Sequence, residues 1–113
     1  MSFVINNGFK RTITITGYFK ADGTPGQIQG VPVWSVSDPA AATLVVSPDS
    51  MSADVFYVAP ALGVTVTSVA NGDLGTGVTN VTITDTFDMV ELPVVSTVSA
   101  VSGTSLVSDQ IAV

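Results

Sequence analysis

The chain has 113 residues, enough for one domain that buries a core without disulfide or metal staples. At 46% hydrophobic and 11% charged residues it excludes a disordered body, which needs the reverse balance. Three cations against nine carboxylates, a net charge of −6, exclude a nucleic-acid binder, because Lys and Arg must neutralise several phosphates in such a protein.

Cysteine and histidine are absent, so no disulfide, thiolate or imidazole ligand is available and the redox compartment stays open. Twenty valines and fourteen threonines supply the β-branched side chains that suit a pleated, half-buried surface. Lys10, Arg11 and Lys20 are the only basic residues, and every carboxylate lies from Asp22 onward.

The opening MSFVINNGFKR has no basic stretch followed by an apolar run, so it does not read as a signal peptide. No apolar segment reaches the roughly 20 residues that span a bilayer as a helix. With Met1 as the natural start, the expectation is a protein made and kept in the cytoplasm, with no membrane partner. Residues 1–10 are read as an N-terminal segment or first strand, 11–93 as the sandwich proper, and 94–113 as a further strand or extended arm.

From Arg11 to Thr16 the alternation is strict, with Ile13 and Ile15 on one face and Thr12, Thr14 and Thr16 on the other. Gly17 interrupts it before Tyr18 and Phe19, as at a bulge. Asp22-Gly23-Thr24-Pro25-Gly26 is a dense turn signal. A strand over Val31 to Ser37 puts Trp34 and Val36 on one face, and Pro32 places it at a strand start or an unpaired edge. Asp38-Pro39 ends it. Short strands follow at Thr43 to Ser47 and Ser52 to Val58 around Pro48-Asp49-Ser50. Val64 to Val69 alternates and stops at Asn71-Gly72-Asp73, and Val81 to Leu92 is the last long strand or pair. With turns every eight to twelve residues and no helical period, the chain is expected to be an all-β antiparallel sandwich of about seven strands. Trp34, Val36, Ile13, Ile15, Phe19, Val64, Val66 and Ile83 are its expected core.

The run GVPVWSVSDPAAATLVVSPDSMSAD, Gly30 to Asp54, carries a resemblance. Trp34 follows a Val-Pro-Val strand, a Ser-Asp-Pro corner comes next, then Ala42-Thr43 and Ser52-Ala53 each lead an apolar run. This order resembles the bacterial immunoglobulin-like group 2 family, above all the single-domain versions in tailed phages and prophages, and the likeness extends over Thr12 to Met89. It implies an immunoglobulin-like fold with Trp34 between the sheets. It also implies that Gly72-Asp-Leu-Gly-Thr-Gly77 is a strand connection, since phage-type members carry a similar Ala-Asp-Leu-Gly-x-Gly run there.

No residue set stands out for chemistry. The Gly72 to Gly77 run lacks the Lys-Ser/Thr ending and following helix of a phosphate loop. Asp85 with Asp88, or Asp22 with Asp73, are the available calcium groupings, and neither has the spacing of a calcium loop, so no metal is expected. Asn80-Val81-Thr82 matches the glycosylation triplet by chance in a chain read as unexported. Without histidine, and with both lysines in the amino-terminal segment, no base sits beside a nucleophile. The expectation is no enzyme and no cofactor.

Binding remains. The resemblance and the missing export signal together point to a phage virion accessory protein. It would be a capsid decoration protein more than a tail one, docked on the particle exterior, able to self-associate there and to touch a host surface glycan. The alternative is a cell-surface adhesion or carbohydrate-binding module of a larger exported protein. Both ends carry apolar residues that the family-like part does not require, so the candidate partner-binding residues are Phe3, Val4, Ile5, Phe9, Lys10, Arg11, Val98, Leu106 and Ile111.

Overall fold

The computed structural model describes residues 2–16, 26–73, 78–91, 100–102, 105–108 and 110–113. Within them run ten strands: β1 (Ser2–Asn6), β2 (Phe9–Ile15), β3 (Gln27–Val36), β4 (Ala42–Val46), β5 (Ser52–Tyr57), β6 (Ala61–Asp73), β7 (Val78–Val90), β8 (Ala100–Ser102), β9 (Ser105–Val107) and β10 (Ile111–Ala112). No helix occurs among the described residues. One sheet has the order β1-β7-β6-β3, the other β4-β5-β2-β9-β8, with β10 also pairing β2.

In chain order, β2 to β7 take the places of immunoglobulin strands B to G: β4-β5-β2 is the D-E-B group and β3-β6-β7 the C-F-G group. The place beside B that strand A normally fills is held by β9 and β10, both antiparallel to β2. The N-terminal strand lies instead in the opposite sheet, where β1 runs parallel to β7 with Ser2 opposite Thr86 and Asn6 opposite Val90. The fold is the expected all-β, immunoglobulin-like sandwich, with every other strand pair antiparallel.

Alternation decides what is inside. On β2, Arg11, Ile13 and Ile15 point inward; on β6, Val64, Val66, Ser68 and Ala70 do; on β7, Asp85, Phe87 and Met89 do. Phe3 and Ile5 of β1 join them, with the Phe3 ring 5.9 Å from that of Phe87. Val55 and Val107 close the core from the second sheet. Trp34 is half-buried, packs against both apolar clusters, and donates its indole N–H to the Ser50 carbonyl at 2.7 Å. Val36 and Ile83 are also partly buried, and Phe19 lies outside the described residues.

Several boundaries move. β3 is an edge strand, as Pro32 demands, and its register slips between Gln29 and Val33. Asn71-Gly72-Asp73 does not stop its strand: all three stay in register with β7, opposite Asn80, Thr79 and Val78. The β6–β7 hairpin is therefore 13 residues a side, about 43 Å at roughly 3.3 Å per residue, and accounts for the 45 Å long axis. The division at residues 10 and 11 falls inside β2, because the turn that carries the chain from one sheet to the other comes earlier, at Asn7-Gly8, where Gly8 takes φ +87°. Gly17, Asp22 to Pro25, and most of the Gly72 to Gly77 run lie outside the described residues.

Candidate functional site

The two ends of the chain meet along one seam of the sandwich, joined by polar groups. Asn6 is fully buried; its backbone N–H donates to Gln110 Oε1 at 2.6 Å, and Gln110 Nε2 returns a bond to Asn6 Oδ1 at 2.9 Å. Arg11, 1% exposed, donates through Nε to the Val4 carbonyl at 2.7 Å and through Nη1 to the Ser108 carbonyl at 2.8 Å. Its guanidinium also lies over the Phe3 ring, 5.6 Å from the centroid. Ser108 Oγ accepts from the Thr12 amide at 2.8 Å, and Ser105 Oγ donates to buried Asp85 Oδ2 at 2.8 Å across the two sheets.

That seam revises the candidate partner surface. Phe3, Ile5 and Arg11 are interior residues, and a side chain packed between sheets offers nothing to a second protein. Sequence position near a terminus hid this, because their covering strands come from the far end of the chain. Val4 and Phe9 are half-buried. Val98 lies outside the described residues.

Lys10, Leu106 and Ile111 do come together, on the outer face of the second sheet. Ile111 stands opposite Lys10, which stands opposite Phe56, which stands opposite Thr43. The next rows hold Thr12, Asp54 and Val45, then Leu106, Thr14 and Ser52. Leu106 is 37%, Ile111 43% and Val45 54% exposed. Lys10 Nζ bonds Asp54 Oδ2 at 2.8 Å and lies 5.3 Å from the Phe56 ring centroid, so its charge is already shared. Thr12 Oγ1 donates to Asp54 Oδ1 at 2.7 Å. Desolvation, the largest single influence on Asp54, pushes its carboxyl up, but Lys10 and Thr12 together outweigh it and hold it below the usual range. Phe56 and Val45 were missed as candidates. The signal for Phe56 was the alternation of Ser52 to Val58, which sets it opposite in phase to buried Val55.

The carboxylate pairs do not converge. Asp85 points inward to Ser105, while Asp88, three residues on, points out and accepts the Gly63 amide at 3.0 Å. Asp73 ends β6, and Asp22 lies outside the described residues. Among the described residues no group of three or more His, Cys, Asp or Glu side chains is placed to hold a metal.

At the opposite corner Asp49 organises the β4–β5 turn, accepting from Ser47 Oγ at 2.7 Å and the Met51 amide at 3.0 Å; these bonds hold its carboxyl below the ordinary value. Ser50 there takes φ 60°, the left-handed region, and its carbonyl is the one that Trp34 holds. Trp34 is thus tied to a turn, with its polar edge engaged. Compared with family models, with curated proteins and with solved structures, the chain matches none.

Proposed function

We propose that this protein is a non-enzymatic structural component of a phage virion, an immunoglobulin-like accessory domain of the bacterial group 2 type that docks on the particle exterior, on the capsid in preference to the tail. The resemblance carried by Trp34, the Ser37-Asp38-Pro39 corner and the two following apolar runs supports the setting. The single observation that carries the role is the outer face of the second sheet, where Leu106, Ile111, Phe56 and Val45 surround one shared Lys10–Asp54 pair. Such a face, apolar in patches and nearly charge-neutral on an acidic chain, suits protein–protein contact better than solvent or a charged surface.

The test is location. Particles purified from a culture that produces the protein are expected to carry it at regular sites, seen by electron microscopy and antibody labelling. Leu106→Lys and Ile111→Lys are expected to fold and yet leave the particle. Recovery of the protein only with the cell envelope would overturn the reading and favour the adhesion module.

A further inference from the structure

A sandwich of two open sheets has four edge strands, and an edge is a template for another strand unless something blunts it. Three are blunted here. On β1, the Val4 carbonyl and the Asn6 amide that turn away from β7 are taken by Arg11 and Gln110. On β3, the register slip holds Gly30 at φ 74° and Pro32, which has no N–H. β8 is three residues long. Among the described residues β4 is blunted only at its start, where the Asp38 carbonyl takes the Ala42 amide at 3.2 Å. It reads Ala-Thr-Leu-Val-Val, without charge or proline, and its register against β5 is unbroken from Ala42↔Tyr57 to Val46↔Ala53. The Val58 amide bonds the Ala41 carbonyl and the Ser47 amide bonds the Ser52 carbonyl, so odd-numbered residues face β5. Alternation then turns the amides and carbonyls of Leu44 and Val46 to the free side.

We propose that β4 pairs antiparallel with β4 of a second copy of this chain about a twofold axis, joining two sandwiches into one continuous sheet. A strand with the same groups outward on both copies is self-complementary under a twofold. Setting Leu44 opposite its own counterpart brings Val46 opposite Ala42, and each Leu44 and Val46 amide meets a carbonyl. The same register covers Val46, 40% exposed although its side chain points toward the interior, and sets Val45 beside Thr43 on the outer face. No like charges meet within the paired strands. Asp38 and Asp49 lie just beyond the two ends, and antiparallel pairing brings one copy's Asp38 toward the other's Asp49. Salt therefore strengthens the dimer by screening that repulsion. A contact one strand wide falls short of the area of a standard stable interface, so the dimer is weak and concentration-dependent. The inference stands apart from the virion reading, since purified protein alone shows it.

Sedimentation velocity on the whole chain, from micromolar to millimolar concentration at low and high salt, is the test. A monomer–dimer equilibrium that shifts toward dimer in high salt is expected. Val46→Pro removes a free-side amide from each copy, hence two hydrogen bonds per dimer, and is expected to weaken association about tenfold. Val45→Lys is expected to do the same, and Val33→Lys on β3 to change nothing, with unaltered circular dichroism in all three. A chain that stays monomeric at millimolar concentration overturns the proposal, including the case in which Val45→Lys still abolishes particle binding and so gives the edge to a foreign strand. A dimer indifferent to both β4 variants overturns it equally.

Discussion

Arg11 reads as a surface cation in the sequence, one of three in an acidic chain, and in the fold it is the largest fully buried side chain among the described residues. A guanidinium can do this because its planar fork reaches carbonyls on separate segments of the chain while its face lies on an aromatic ring. A lysine has neither the fork nor the flat face. Arg11→Lys is accordingly expected to cost at least about 2 kcal/mol, since it strands buried carbonyl groups, measured by urea unfolding. Nothing local announced this role: the carbonyls of Val4 and Ser108 lie on β1 and just past β9, the latter 97 residues away. Trp34 was legible, because a tryptophan directly after a Val-Pro-Val run on an edge strand has few other places to go. Being half-buried, it should lose no more than about 3 kcal/mol on replacement by alanine, the low end for large aromatics. Trp34→Phe isolates the bond to Ser50, and a loss of about 1 kcal/mol is expected. A Trp34→Ala protein as stable as the wild type would count against its packing role.

At the scale of the element, β9 and β10 complete the second sheet in the place of a first strand, and their inward residues are few. Ser105 and Val107 are fully buried, with Gln110 close behind, while Leu106 and Ile111 face out. Val107→Ala should therefore cost about 2 kcal/mol from two lost methyl groups and the space they leave. Leu106→Lys and Ile111→Lys should stay within about 0.5 kcal/mol of wild type. Removing residues 105–113 is expected to abolish the cooperative thermal transition, as it uncovers β2 and strips partners from Asn6, Arg11 and Asp85 together. Point variants, not truncations, are thus the right probe of docking. The strands with period-two alternation, β2 and β4 to β7, were legible to within a few residues. The ends were not, because Ser105, Gln110 and Asn6 are polar residues used as core. Polarity normally marks a surface, and burial is tolerable here because Asn6 and Gln110 bond each other and Ser105 bonds Asp85.

For the molecule as a whole, acidity sets the pH response. Asp54 and Asp49 both sit below the ordinary carboxyl value in the folded chain. Their stabilisation is complete above the unfolded value of about 3.9 and is lost as pH falls through the lower folded values. The melting temperature is expected to hold from neutrality to about pH 5 and to drop below about pH 4, by calorimetry. Asp54→Asn should flatten part of that drop at neutral cost of no more than about 1 kcal/mol, since the Lys10 pair is partly solvated. Chelator or added calcium should leave the melting temperature unchanged. A rise of several degrees with calcium would point to carboxylates beyond the described residues.

The parallel pairing of β1 with β7 has a consequence for how the protein comes into being. β1 must wait for a partner about 84 residues later, and Asn6 waits 104 residues for Gln110. Contacts this distant in sequence give a high contact order and slow folding. Until β7 has left the ribosome, Phe3 and Ile5 lack the strand they pair with, and the growing chain carries these apolar side chains without that cover while β2 to β6 are made.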